Sequence, residues 1–295
     1  MEQTKKPRKR RLGDRKDGRR LRTLDPFFTF VPFIMKDHND STNYFEDRVE
    51  LSAAEKYLRE KRQEGLKGVG MLHLFLTAYV RCVAKYPGLN RFVSGQRVYA
   101  RNNIEVCLAV KRTLTLDGSE TTIKVELEPT DRIEDVFRKM NTEIDKIKNG
   151  EEENGTEKFA AAFAKFPSFL FRFSIRFLKL LDYYGLLPQA AVNVSPFHGS
   201  FFITDLGSLG IPPIYHHLYN FGNVPIFLAF GAKYRERELA ADGSVVEKRY
   251  VDYKVTTDER TVDGLYYAMA FRNLKHLLRN PKLLDEPVIV NEDID

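Results

Sequence analysis

Two uncharged runs, Tyr183–Thr204 and Leu206–Ala232, set the strongest limit on what this chain can fold into. Each is long enough to cross a bilayer, yet both are broken. Pro188, Asn193, Pro196 and His198 interrupt the first, and Pro212, Pro213, His216, His217 and Asn220 the second. A spanning helix needs about 20 predominantly apolar residues without such breaks, so both runs read as buried strands and turns. With 43% hydrophobic and 30% charged residues, the chain can bury a full core without staples. Cys82 and Cys107 are too few for a disulfide framework or a structural zinc site. With no secretory pattern at the N-terminus, they point to a reducing cytoplasm.

Charge is unevenly placed. Residues 1–22 hold 11 Lys/Arg against 3 Asp/Glu, and residues 281–295 hold one Lys against 5 Asp/Glu. The net +6 is therefore mostly the property of a basic arm, and the body between is close to neutral. Such an arm is expected to be solvated and flexible, with a charge suited to polyanions or an anionic membrane.

Hydrophobic spacing gives the elements. Ser52-Ala53-Ala54-Glu55 has the capping-box pattern of a helix running to Gly65. Leu72, Phe75, Leu76, Tyr79, Val80 and Val83 recur at helical spacing before Pro87-Gly88. Ile104, Val106, Leu108 and Val110 alternate as a strand, and Asp117-Gly118 predicts a hairpin before Ile123, Val125 and Leu127. Ile133, Val136, Phe137, Met140 and Ile144 form a further helical stripe ending at Asn149-Gly150, and Glu151–Gly155 reads as a polar linker. A Phe-rich helical stretch over 157–184 follows, with Pro167 as a kink. Strands are expected at Ser200–Leu206, Val224–Lys233 and Val245–Thr257, with Asp242-Gly243 as a turn. A last helix should start near Asp263 and stop at Pro281. This order points to an α+β sandwich rather than a doubly wound sheet.

Nucleotide-loop and zinc-protease motifs are absent, and no two of the six histidines sit at a metal-ligand spacing. No metal is expected. The most informative segments are Phe201-Phe202-Ile203-Thr204-Asp205-Leu206-Gly207 and Thr257-Asp258-Glu259-Arg260-Thr261-Val262-Asp263-Gly264. Together they resemble the F-T-I-S-N-L-G and D-H-R-x-x-D-G motifs of the dihydrolipoamide acyltransferases of 2-oxo acid dehydrogenase complexes. Chloramphenicol acetyltransferase shares their fold. Tyr86-Pro87-Gly88-Leu89-Asn90 is similar to that family's F-P-x-L-N, Asn103–Val110 to its N-I-x-V-A-V strand, and Ile226–Gly231 to its I-L-x-x-G strand. The likeness runs in order over residues 23–280, without a lipoyl or subunit-binding domain in this chain.

The resemblance implies a two-layer α+β sandwich of the CoA-dependent acyltransferase type, a homotrimer, and coenzyme A or another thioester as ligand. In that family an imidazole takes the thiol proton, and a hydroxyl donates to the tetrahedral oxyanion. A thiol with a pKa near 8.5 is well matched by a base near 6.5, and the oxyanion needs a donor where charge develops. Carried over, Thr204 takes the hydroxyl position, Asp263 and Gly264 match, and Glu259 stands where the family has its histidine. A carboxylate near 4.3 is a weaker base than imidazole.

The expected organisation is a basic arm over 1–22, an acyltransferase-like domain over 23–280 and an acidic tail over 281–295. Glu259, Asp263 and Thr204 are the candidate catalytic residues. His216, His217 and Asp205 are the candidate substrate-binding ones. Three functions are open: acyl transfer between acyl-CoA and an acceptor at an atypical site, a catalytically silent trimeric scaffold or acyl-CoA-binding protein, and a membrane or polyanion adaptor. In the last, the arm would act with the helix carrying Phe169, Arg172, Phe173, Arg176, Phe177, Lys179 and Leu180.

Overall fold

The computed structural model describes residues 9–111, 120–148 and 167–295. The expected turn at Asp117-Gly118, the linker 151–155 and the start of the Phe-rich stretch lie outside the described residues. In chain order the strands are β1 (Gly18–Arg20), β2 (Thr42–Glu50), β3 (Arg91–Ser94), β4 (Arg97–Arg101), β5 (Ile104–Lys111), β6 (Glu120–Leu127), β7 (Phe201–Asp205), β8 (Ile226–Phe230), β9 (Tyr234–Leu239) and β10 (Val245–Asp258). The helices are α1 (Pro26–Ile34), α2 (Ser52–Gln63), α3 (Met71–Lys85), α4 (Ile133–Lys148), α5 (Ser168–Tyr183), α6 (Gln189–Val194) and α7 (Gly264–Arg279).

A mixed seven-stranded sheet runs β2-β10-β8-β7-β5-β6, with β9 beside the first half of β10. β7 lies parallel to both neighbours, and the other pairings are antiparallel. A small sheet of β1, β4 and β3 stands apart. One face of the large sheet carries Val106, Leu108, Phe201, Ile203, Leu228, Phe230, Tyr253 and Val255 into the main core, against α3. Tyr79 of α3 stacks on Phe201 with centroids 3.9 Å apart, and Phe75 on Phe230 at 4.7 Å. Burying aromatic side chains of this kind gains about 1.5–3 kcal/mol each, which fixes α3 as the central helix. The opposite parity puts Cys107, Phe202 and Phe227 on the other face, under Leu218.

Two expectations fail on local grounds. Ser52 is the first residue of α2 rather than its cap. Its amide (2.9 Å) and hydroxyl (2.5 Å) both donate to Glu50 Oε1, and the capping box does not form. Residues 14–22 of the arm and residues 293–295 of the tail are not solvated ends. Buried Arg15 bonds to Asp17 at 3.0 Å, Asp182 Oδ1 at 2.8 Å and Ser94 Oγ at 2.8 Å, while Gly18–Arg20 pairs with β4. At the other end Arg91 holds Asp293, and the amides of Arg22 and Thr23 donate to the Asp295 carbonyl at 2.8 and 2.7 Å. The opposite charges of the two ends meet in one seam, so residues 14–22 and 293–295 belong to the folded body.

Candidate functional site

β10 delivers Asp258 and Glu259 to the edge of the sheet, and the two carboxylates meet different fates. Asp258 is fully buried, and Arg260 grips it with Nε to Oδ1 at 2.8 Å and Nη2 to Oδ2 at 2.7 Å. Arg260 also ties the strand end to the 35–41 loop, donating to the carbonyls of Met35 at 3.2 Å and Lys36 at 2.9 Å. Burial alone would push the Asp258 carboxyl up, but Arg260 and His38 hold it below the usual range. His38 is itself buried. Its Nδ1 donates to the Tyr219 carbonyl at 2.7 Å, and its Nε2 stands 3.3 Å from Asp258. His38 Nδ1 is thus held by a carbonyl, while its buried Nε2 has no hydrogen-bond partner among the described residues and faces the Asp258 carboxylate away from solvent.

Glu259 is left half-buried. Its amide donates to the Ser41 carbonyl at 2.9 Å, and Asn43 Nδ2 donates to Oε2 at 2.5 Å. Among the described residues no arginine bonds to its side chain, and the adjacent Arg260 is engaged by Asp258. Four residues on, Asp263 Oδ1 accepts from the Tyr266 amide at 2.7 Å and caps α7. The same helix carries Tyr266, whose hydroxyl accepts from Gly88 N at 2.7 Å. A side chain at Gly88 would meet that ring 2.8 Å away, so the Pro87-Gly88 turn seats the end of α3 against the start of α7.

Thr204 lies at the C-terminal end of β7, half-buried, on the sheet face away from the main core. Pairing places it in one row with Ala229, Lys254 and Glu46. The 211–224 connection roofs this face. Tyr215 donates to Glu46 at 3.1 Å beneath Lys254, and His216 stacks on Phe227 with centroids 4.3 Å apart. His216 Nε2 is buried with no hydrogen-bond partner. Burial, aided by neighbouring His217, holds the ring below its ordinary pKa, so it is a neutral imidazole near pH 7. His217 is exposed and meets Tyr219 edge-on. Asp205 is taken up by the following turn, with Oδ1 accepting from Ser208 N at 3.1 Å. Burial raises its pKa. Gly207 is required here, since a Cβ would fall 2.6 Å from the Gly231 carbonyl.

The candidate residues thus fall into two half-sites. Glu259 and Asp263 belong to one, and Thr204 and His216 to the other, while strand alternation turns Asp205 from the face of Thr204. Strand rise and spacing put Thr204 and Glu259 roughly 15–20 Å apart, two strands over and five residues along. A groove of about 490 Å³ lined by Glu46, Arg48, Pro212, Pro213, Asp252 and Lys254 adjoins the Thr204 row. Arg48 pairs with Glu236, and Lys254 lies 3.6 Å from Glu46, so the groove's own cations face carboxylates rather than a phosphate. Burial pushes the Cys82 and Cys107 thiols up to about 12 and about 11, which removes them as nucleophiles. Among the described residues no cluster of three or more His, Cys, Asp or Glu is arranged for a metal. Asn43, His38 and the Asp258–Arg260 grip gave no signal in the sequence, because each depends on contacts across more than 200 residues or on which carboxylate an arginine chooses.

Residues 191–285 match the model of the 2-oxoacid dehydrogenases acyltransferase catalytic domain. The match takes in both half-sites. The fold is similar to that of a probable dihydrolipoamide acetyltransferase from Listeria monocytogenes, at 14% identity and TM-score 0.58, over 91% of this chain and 95% of that one. It is also similar to the catalytic core of the 2-oxoacid dehydrogenase complex from Thermoplasma acidophilum, at 13% identity and TM-score 0.53, over 88% and 98%. Chloramphenicol acetyltransferase superposes at 14% identity and TM-score 0.51, over 85% and 93%. No curated protein matches the sequence. The architecture is the CoA-dependent acyltransferase sandwich that the motifs imply.

Proposed function

We propose that this chain, built on the CoA-dependent acyltransferase fold, moves an acyl group between a thiol carrier such as coenzyme A and an acceptor, at a site completed between copies of a homotrimer. One observation carries the reading. Glu259 is half-exposed with a single amide partner, while the arginine that would neutralise it is engaged by Asp258. A carboxylate kept in that state, at the position of the family's base, is available for a proton. Thr204 is too far away in the same chain to share its substrate, so closed cyclic symmetry must supply it.

In this reading Glu259 takes the proton of the attacking thiol at Oε1, with Oε2 held by Asn43. The thiolate sulfur bonds to the acyl carbonyl carbon, and the electron pair moves to oxygen. Thr204 Oγ1 of a neighbouring copy donates to that oxyanion. Collapse breaks the original carbon–sulfur bond, and the leaving thiolate recovers the proton from Glu259. Asp263 fixes the start of α7 and with it the backbone that carries Glu259.

A second reading has its own observation: the unpartnered Nε2 of His216, on the Thr204 face, makes that imidazole the base instead. Acyl exchange between acetyl-CoA and dihydrolipoamide separates the two. Loss of turnover in Glu259→Gln with retention in His216→Asn supports the first, and the reverse supports the second. Intact trimers without turnover in wild type or any variant would leave the silent scaffold or acyl-CoA-binding protein.

A further inference from the structure

Helix α5 carries an exposed face that neither half-site uses. Phe169 is 75% exposed, Phe173 65%, Phe177 50% and Leu180 52%. At 100° per residue these four fall within one 80° stripe. Arg172, Arg176 and Lys179 are all exposed and form a second stripe immediately beside it. Ser174, Ile175, Leu178 and Asp182 point the other way, toward the protein. From 167 to 194 the sole acidic residue is Asp182, which is buried and paired with Arg15. That pair also anchors the root of the basic N-terminal segment against the last turn of the helix.

A second apolar helix face borders the same hairpin. Phe27, Phe30, Phe33 and Ile34 of α1 are each more than half exposed, and α1 packs on β4. Tyr183 at the end of α5 donates to Gln96 in the β3–β4 turn. That turn holds Gly95 at φ 55° and Gln96 at φ 58°, and a Cβ at Gly95 would sit 2.4 Å from the Tyr183 carbonyl. The hairpin tip is thereby pressed onto the helix end, so α5 is fixed in its exposed position.

We infer that α5 docks this protein onto an anionic phospholipid surface, with Phe169, Phe173, Phe177 and Leu180 entering the acyl boundary and Arg172, Arg176 and Lys179 meeting the headgroup phosphates. An apolar stripe flanked by cations and free of exposed carboxylates is the pattern of a helix that lies in a membrane interface. Among the described residues no helix is long and apolar enough to cross a membrane, so contact is from one side. The lipid is chosen because phosphate headgroups complement a basic stripe that has no exposed carboxylate beside it.

The test is flotation of the full chain with vesicles of phosphatidylcholine alone or mixed with phosphatidylglycerol, alongside light scattering. Wild type should float with the anionic vesicles and not with the neutral ones, and should be released as salt rises. Phe173→Ser combined with Phe177→Ser should cut partitioning roughly tenfold or more, with far-UV spectrum and oligomeric state unchanged. Arg172→Gln combined with Arg176→Gln should abolish the preference for anionic lipid. The proposal is overturned if wild type stays unbound at low salt, or if the Phe variant floats as well as wild type. It is equally overturned if the Phe variant changes oligomeric state, which would make this face a contact between copies.

Discussion

Asn43 donates to Glu259 from the strand facing it, two rungs from where Asn43 pairs with Thr257. The neutral amide orients the carboxylate without cancelling its charge, and Arg260 beside it is committed to Asp258. This arrangement determines which substitutions should matter.

Glu259→His should raise acetyl-CoA/dihydrolipoamide exchange above a weak wild-type rate, since imidazole is better matched to a thiol proton than a carboxylate. General-base assistance is typically worth about 10²–10⁴-fold. Exchange rates of the purified protein check this, and a rate below wild type would count against a shared-base site.

Asp263→Ala should lower unfolding stability by about 1 kcal/mol, the usual worth of a helix N-cap, because Tyr266 N loses its acceptor. Urea titration measures it. Asp263→Ser should recover most of the loss, since a hydroxyl can also accept there.

His73 makes stability sensitive to acid. Its Nδ1 accepts from Gly70 N at 3.1 Å, so the buried ring must be neutral, and burial pushes its pKa down to about 4. Between that value and the unfolded 6.5, the unfolded chain binds the extra proton, so stability falls as pH drops below 6.5. From pH 7.5 to 5.0 this amounts to about 2 kcal/mol. His73→Gln, which can still accept from Gly70, should remove that part of the slope in urea titrations at the two pH values.

Arg15→Ala should destabilise by about 2–4 kcal/mol, because it removes the guanidinium shared by buried Asp17 and Asp182 and leaves each with one basic neighbour, Arg101 and His198 respectively. Burial acts to raise the pKa of both carboxyls, yet their basic neighbours hold them below the usual range, so acid should weaken the seam only below about pH 4. Removing residues 1–22 should therefore cost folding stability, contrary to what a solvated arm would show. Thermal denaturation of the shortened chain decides it.

Much of the fold was legible because burial writes a period. Met71–Lys85 and Ile104–Lys111 carry clean helical and alternating patterns, and both elements form as read. Tyr234–Leu239 escaped notice because Tyr-Arg-Glu-Arg-Glu-Leu alternates charges of both signs on an exposed hairpin, with little apolar contrast. Thr42–Glu50 was hidden for a similar reason, since four of its nine residues are charged. Residues 14–22 looked like a solvated arm because local charge was counted without Asp182 and the 293–295 tail, which only the fold brings near. At the candidate site the motifs nominated Glu259 and Thr204. They could not show that Arg260 would choose Asp258.

The distance between Thr204 and Glu259 along the sheet has a genetic consequence. If each working site takes its hydroxyl from one copy and its carboxylate from the next, a Glu259→Gln chain and a Thr204→Ala chain are each dead alone and alive together. In any mixed ring, one junction brings an unaltered Glu259 to an unaltered Thr204. Two defective alleles expressed in one cell would then complement, whereas two alleles altered at the same position would not.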